Sequence, residues 1–274
     1  MTFHDGRLTK RLVTFNKHIK NKTMAKQIGA IKLKGQIDDF VFYKTADGYI
    51  ARMHTPISAD RIATDPAYIR TRENMAEFGR AGKGSKLMRT ALRAELQRIS
   101  GGKAASRLTK ELMRVIKADA VNGRGLRNLV DGEKTLLEGF EFNTTARLAS
   151  TLFAPFTAAI NRVSGEGTVT IPSFIPANSV EAPAGSTHFR INTALVDLDF
   201  EGETYVYDGT SSATLALDGA ATTALSLVST VTAASTGALF LVMGVEFFQV
   251  VNGTNYSLNN GAFNALAIVK VDQL

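Results

Sequence analysis

The chain contains no cysteine. That absence excludes disulfide staples, thiolate zinc sites and thiol nucleophiles together. No long apolar run is present either. The longest, Ala238 to Val245 (ALFLVMGV), has the length of a buried strand and falls far short of the ~18 apolar residues that a membrane-spanning helix needs. The opening MTFHDGRLTKRLVTFNKHIKNKT is charged throughout and has no apolar segment of the kind that marks a secretory signal. Histidine is scarce: His4, His18, His54 and His188 stand in separate segments without i, i+4 pairing, so no metal-ligand spacing is visible. His188, opening a strand after a Pro/Gly turn, reads as a surface or capping residue.

Two catalytic or nucleotide motifs are approached and missed. Gly79-Arg-Ala-Gly-Lys-Gly84-Ser85-Lys86 has glycines at phosphate-loop spacing. A phosphate loop, however, needs lysine directly after the second glycine, then a hydroxyl, and a buried strand in front. Here the preceding segment reads as helix, so a flexible basic helix break is the better reading. Gly209-Thr-Ser-Ser lacks the second glycine of a nucleophile elbow. No cofactor is indicated.

What is present is an ordinary globular mixture, 274 residues with 45% hydrophobic and 21% charged. Its formal charge of +7 is unevenly placed. Residues 1–128 hold 27 Lys and Arg against 11 Asp and Glu, a net of +16, and the remainder holds 5 against 14, a net of −9. A half this basic attracts nucleic acid, an anionic membrane face or an acidic protein, or else docks on the acidic half of another copy.

Residues 1–23 read as a basic, disordered leader or a mis-called start, because MAKQIGAIKLKG from Met24 resembles a natural beginning. Ile31 and Leu33 alternate with lysines, and Phe40 to Tyr43 and Tyr49 to His54 flank Asp47-Gly48 as a hairpin. Thr64 or Asp65 caps a helix with Pro66 in its first turn. Met88, Leu92, Leu96 and Ile99 then share a helical stripe, with Lys86, Arg89 and Arg93 beside it. Gly79, Gly82 and Gly84 predict a break at about 1 kcal/mol each. Gly101-Gly102 separates a second helix, from Ala104 or Ser106 to about Val121, giving a helical hairpin. A short helical piece follows near Glu133 to Glu138. From Phe140 onward eight short strands alternate with turn residues, at Thr168 to Ile171, Phe189 to Thr193, Leu195 to Phe200, Thr204 to Tyr207, Ala213 to Leu217, Ala224 to Ser229, Leu239 to Phe248 and Phe263 to Val271, and Asn252-Gly253 between FFQVV and TNYSL marks a hairpin. The expected class is α+β: an N-terminal β-hairpin and helical hairpin, then an antiparallel Ig-like β-sandwich. The expected domains are 24–139 and 140–274, after the leader 1–23.

The stretches RIATDPAYIRTRENMAEFGRAGK (61–83), RGLRNLVDGEKTLLEGFEFN (124–143), APAGSTHFRI (182–191) and LFLVMGVEFFQVVNGTNYSLNNGAFNALAIVKV (239–271) resemble a family of uncharacterised proteins found in Bacteroidota, over nearly everything after Met24. The chain also resembles, less closely, a related group with a G-x-I-x-x-x-x-F-Y hairpin start. The resemblance implies no activity and gives no residue a role.

The candidate functional residues are therefore the cations of the helices: Arg70, Arg72, Arg80, Lys83, Lys86, Arg89, Arg93, Lys103, Arg107, Lys110 and Arg114, with Lys117 beyond them. They supply phosphate-pairing donors without interleaved aromatics, so a nucleic-acid contact is expected at the backbone and not at bases. Asp197, Asp199, Glu201 and Glu203 recur at period two and read first as a solvated strand that discourages edge pairing. Calcium binding or carboxylate-dependent hydrolysis is the sharper alternative. Three functional readings follow. The first is a non-enzymatic, self-associating structural protein of virion, filament or surface-layer type; the second, a phosphate-backbone-binding module; the third, a carboxylate enzyme or calcium module. A homo-oligomer without an integral membrane segment is expected, in the cytoplasm or a virion.

Overall fold

A computed structural model describes residues 25–53, 57–100, 102–258 and 261–273. The readings placed on residues 1–23, His4 and His18 among them, and on His54 lie outside those residues. The chain divides into two compact units, Met1–Ile62 and Ala63–Leu274.

In the first unit, β1 (Ala25–Lys26), β2 (Gly35–Ile37), β3 (Phe40–Thr45) and β4 (Gly48–Met53) form an antiparallel sheet in the order β1-β4-β3-β2. The β3–β4 hairpin is the one its aromatic and β-branched run predicts. Its closing pair is Thr45 opposite Gly48, so Ala46-Asp47 is the two-residue loop and Gly48, at φ +118°, begins the return strand. Ile31 and Leu33 lie outside the strands. The sheet instead gains its third strand through the Asp38-Asp39 turn, where Asp38 takes φ +48°. Short-range aspartates tolerate that conformation, which is why the turn forms without glycine. The short helix α1 (Ala59–Thr64) follows.

Early in the second unit Asp65 accepts a hydrogen bond from the Ala67 N–H at 2.9 Å, capping a 3₁₀ turn over Pro66–Tyr68. From that turn α2 (Ile69–Ala91) runs 23 residues without interruption. The expected break at Gly79, Gly82 and Gly84 does not occur. Ala81, Ser85, Met88 and Ala91 bury one face of the helix over this stretch, and that packing outweighs the ~1 kcal/mol propensity loss at each glycine. Gly84 is itself part of the contact: a Cβ there would overlap Leu129 Cδ1 and meet the Phe200 ring. A short α3 (Arg93–Leu96) precedes α4 (Ala104–Lys117). The second helix ends four residues before the expected Val121 because Asp119 turns its carboxylate onto the backbone N–H groups of Val121 and Asn122 at 2.8 and 3.0 Å. A 3₁₀ turn at Lys134–Leu137, capped by Glu133, occupies the expected short helical piece.

After α5 (Leu148–Thr151) come β5 (Thr157–Asn161), β6 (Glu166–Ile171), α6 (Pro176–Ser179), β7 (His188–Asp199), β8 (Thr204–Ser211), β9 (Leu215–Ala216), β10 (Leu225–Thr230), β11 (Ala238–Val251), β12 (Thr254–Ser257) and β13 (Ala265–Asp272). They make two antiparallel sheets. The smaller has the order β10-β6-β5. In the larger, β7 and β11 pair along eleven positions at the centre; β8 and β9 share the outer edge of β7, and β12 and β13 that of β11. Asn252 and Gly253 carry φ +50° and +76° in the β11–β12 turn, as the Asn-Gly pair predicts.

The chain thus adopts an α+β fold with a β-sandwich, and the helical hairpin covers the outer face of its larger sheet. Two cores result. Leu239, Leu241, Met243, Val245 and Phe247 of β11 face the small sheet's Val169, Ile171 and Leu227. Ala238, Phe240 and Val242 face Met88, Leu92, Leu108, Leu112 and Ile116 of the helices. A strand buried on both faces is apolar at nearly every position, which explains the unbroken run Ala238–Val245 in β11, and the buried Glu246 that follows is paired with Arg190. Charge and texture change near 128 and 140, yet the compact boundary lies at Ile62/Ala63, because α2 and α4 share a core with the sheet.

Candidate functional site

The cations proposed from sequence fall into three groups. Arg80 and Arg107 are fold staples. Arg80 Nη1 donates to the carbonyls of Gly125 and Arg127 at 2.8 and 2.9 Å, and Arg107 donates to those of Glu141 and Phe142 at 2.6 and 2.5 Å while its guanidinium lies over the Phe140 ring. Arg72 reaches the Asp65 carbonyl and Arg89 the Ser85 carbonyl of its own helix. The second group is ion-paired: Arg70 with Glu73, Lys83 with Glu203 and Arg114 with Glu111. The third group, Lys86, Arg93, Lys103, Lys110 and Lys117, is exposed, and its side chains have no hydrogen-bond or ion-pair partner among the described residues.

Helical geometry sorts the last group further. Arg107, Lys110, Arg114 and Lys117 fall within about 80° of helix surface at 100° per residue, opposite the buried Leu108, Leu112, Val115 and Ile116. Lys103, the α4 N-cap, lies at the same end as Arg107. The α2 cations form no such ridge, since Arg80 and Lys83 are turned into contacts with the loop at 125–127 and the β7–β8 turn. Beside the α4 ridge runs an open cleft of about 530 Å³ between the helix and residues 136–149. Its carboxylates already have partners. Glu138 pairs with Lys270 and accepts the Val271 N–H, Glu141 accepts the Leu148 N–H, and Glu111 holds Arg114. Burial pushes the Glu141 carboxyl above the usual range.

The acidic candidates do not form a strand face. β7 ends at Asp199, and residues 200–203 are the turn into β8. Asp197 is buried, contrary to the solvated reading, because it sits within the sandwich beside Gly237. Asp199 caps the turn by accepting the Glu201 and Gly202 N–H groups, both at 2.9 Å. Glu203 takes φ +53° and pairs with Lys83 at 2.9 Å. That lysine holds the Glu203 carboxyl below its ordinary value. Among the described residues no three His, Asp or Glu side chains converge in a metal-holding group. Two shallow grooves flank Phe200, of about 470 and 460 Å³, and Glu201 lines both. His188 opens β7, as expected, with Nδ1 at 2.9 Å from Thr187 Oγ1.

Sequence reasoning missed a buried polar network beneath α3. Glu95 is buried, accepts the Tyr207 hydroxyl at 2.8 Å and pairs with Arg98 at 3.2 Å. Burial raises its carboxyl above the usual range, and raises the Tyr207 hydroxyl too. Nearby Glu246 pairs with Arg190 at 2.8 Å, and Ser211 donates to Asn192 at 2.8 Å. It also missed Lys134, whose buried ammonium donates to the carbonyls of Leu129, Val130 and Gly132 at 3.1, 2.6 and 3.2 Å. Apart from the i, i+3 pair Glu95–Arg98, no local motif signals either, because the other partners lie on distant strands or are backbone atoms.

The first unit has a different character. No residue of its four strands is buried. Cross-strand pairing puts Ile37, Phe40 and Met53 on one face, with Phe42, Ala51 and Tyr49 behind them. Ile37 is 57%, Phe40 48% and Met53 62% exposed. Lys44 and Tyr49 end this face, the ammonium 5.7 Å above the ring. The opposite face carries Gln36, Val41, Arg52, Tyr43, Ile50 and Lys26. No described helix is long and apolar enough to cross a membrane. No family model, curated protein or solved structure matches the chain.

Proposed function

We propose that the chain is a non-enzymatic structural protein that assembles with copies of itself, and that the β1-β4-β3-β2 sheet is the contact. The observation that carries this is the apolar face of that sheet. An isolated sheet of this size buries too little surface to be stable in water, and contiguous exposed apolar side chains mark interaction sites. Of the four carboxylates that a hydrolase or calcium reading would need, Asp197 is buried in the sandwich, Asp199 caps a turn and Glu203 pairs with Lys83, leaving Glu201 alone at the grooves, which also favours assembly over chemistry.

A second copy suits the face better than an unrelated partner because the face complements itself. Its centre is uncharged. Lys44 stands at one end of β3, and the Asp38-Asp39 turn stands at the other. Face-to-face packing about a two-fold axis perpendicular to the strands buries Phe42 against its symmetry mate and covers Phe40 and Met53 with the Lys44 and Tyr49 end of the other copy. It also sets Lys44 of each copy beside the acidic turn of the other, as an isologous contact requires.

Sedimentation velocity over a concentration series tests this. The native chain is expected to associate, and Phe40→Ser with Met53→Ser to abolish association while leaving the thermal transition of the second unit in place. Lys44→Asp should weaken association, and Asp38→Lys with Asp39→Lys in the same chain should restore it. A native chain that stays monomeric at every concentration overturns the proposal. An association abolished by Met75→Ser and Phe78→Ser on α2, but not by Phe40→Ser and Met53→Ser, overturns the two-fold geometry.

A further inference from the structure

We infer that the outer ridge of α4 is a docking surface for the phosphate backbone of a nucleic-acid duplex. This inference stands independently of the assembly reading, since it uses a different unit of the chain.

The ridge consists of Lys103, Arg107, Lys110, Arg114 and Lys117, with Arg147 across the adjoining cleft. From Lys103 to Lys117 it extends about 20 Å at 1.5 Å per residue. Lys103, Lys110 and Lys117 are seven residues apart, so successive members are rotated by only about 20°. They are the members without a partner. Arg114 is 59% exposed and held only by Glu111, an i, i+3 pair; an exposed pair of this kind is worth about 0–1 kcal/mol, so a phosphate can take its place. Of the cleft carboxylates only Glu111 pairs with a ridge side chain, Arg114. Glu138 is occupied by Lys270 and the Val271 N–H, and Glu141 by the Leu148 N–H. Positive charge is therefore left in a straight, rigid line, backed by a helix whose other face is fixed in the core.

Two competing surfaces fit less well. A membrane-surface helix needs apolar side chains free to enter the acyl boundary. Here Leu108, Leu112, Val115 and Ile116 are fully buried in the helix–sheet core, so nothing remains to insert. An interface with a folded acidic protein has aromatic or apolar anchors inside a charged rim, whereas the ridge is cationic from end to end. Phosphate contact needs neither anchor nor insertion. The lack of aromatics on the ridge also means that contact stays with the backbone and carries no base sequence.

The test is fluorescence anisotropy of the full chain with a labelled 25-base-pair duplex of random sequence, titrated with sodium chloride. Four phosphate contacts predict roughly a 100-fold loss of affinity between 50 and 200 mM salt. Lys103→Gln, Lys110→Gln and Lys117→Gln together should flatten the slope of log K against log salt by about 0.9 for each contact removed, at an unchanged melting temperature. A matched triple on the first unit, Lys26→Gln, Lys34→Gln and Arg52→Gln, should leave that ridge-dependent part in place. An unchanged slope in the α4 triple overturns the inference. So does tighter binding of polyglutamate, or of phosphatidylserine vesicles, than of duplex at equal anionic charge.

Discussion

Gly79 and Gly84 stand five residues apart on one helix and respond in opposite ways to a methyl group. At Gly79 and Gly82 a Cβ meets nothing within 4 Å, so alanine gains helix propensity and loses no contact. Each substitution should stabilise the chain by about 0.5–1 kcal/mol. At Gly84 the same atom would overlap Leu129 Cδ1. Gly84→Ala should therefore cost about 1–3 kcal/mol through overpacking. Urea denaturation of the three variants checks both signs; equal effects at the three positions would contradict the close packing of α2 on Leu129. The sequence showed three glycines in a helical pattern and predicted a break. What it could not show is that one of the three is small because a loop more than forty positions away presses on it. The same blindness affects the arginines. Arg80 and Arg107 read as surface cations, but a guanidinium offers five donors and in this fold they close loops by holding carbonyls. Arg70, Lys83, Lys86 and Arg93, with Lys103, Lys110, Arg114 and Lys117 along α4, keep the exposed position expected of the whole set.

At the scale of elements, α4 is ended by a side chain. Asp119 is buried and accepts hydrogen bonds from the Val121, Asn122 and Asn128 N–H groups, with the Asn122 side chain as a further donor at 2.9 Å. Burial works to raise its carboxyl, but these donors outweigh it and lower it to about 2 from an ordinary 3.8. The sign follows directly. A carboxyl depressed in the folded state contributes its full stability above the unfolded value and loses it as pH falls toward about 2. Asp119→Ala is expected to cost about 1.5–3 kcal/mol at pH 7, and the difference from the native chain should shrink as pH falls below about 4. Melting curves at pH 7 and pH 3 measure it, and a pH-independent difference would mean the cap acts through shape alone. Strands were legible to different degrees for comparable reasons. β11, apolar on both faces, was read at nearly its full length. β7 was read as two strands, because Asn192 and Thr193 interrupt the apolar pattern; both are buried, Asn192 bonded to Ser211 and Thr193 to the Thr210 carbonyl at 3.4 Å. β5 (TAAIN) went unread, since short alanine-rich sequence has little intrinsic β preference and is held as a strand by pairing with β6.

At the scale of the whole molecule, apolar and charged residues organise differently. The cores join the two halves of the second unit, but the charges stay apart: of the eight ion pairs among the described residues, only Lys83–Glu203 links the basic residues 1–128 to the acidic remainder. Counted by compact unit, residues 1–62 hold 12 Lys and Arg against 5 Asp and Glu, a net of +7, whereas residues 63–274 hold 20 of each. Two modes of self-association then respond to salt in opposite directions. Copies docked head to tail, basic face on acidic face, attract through charge and should separate as salt rises. Copies joined through the first unit bring two bodies of net +7 together, and the two Lys44–acidic-turn pairs, each worth about 0–1 kcal/mol at the rim, do not offset that repulsion. Screening removes the repulsion and leaves the burial of Phe40 and Met53 intact, so association through the sheet should tighten between 50 and 500 mM sodium chloride. Duplex binding by the α4 ridge should weaken over the same range. Sedimentation and anisotropy in one salt series therefore separate the two surfaces, and association that weakens with salt in parallel with duplex binding would assign the copies' contact to the charged halves instead of the apolar sheet.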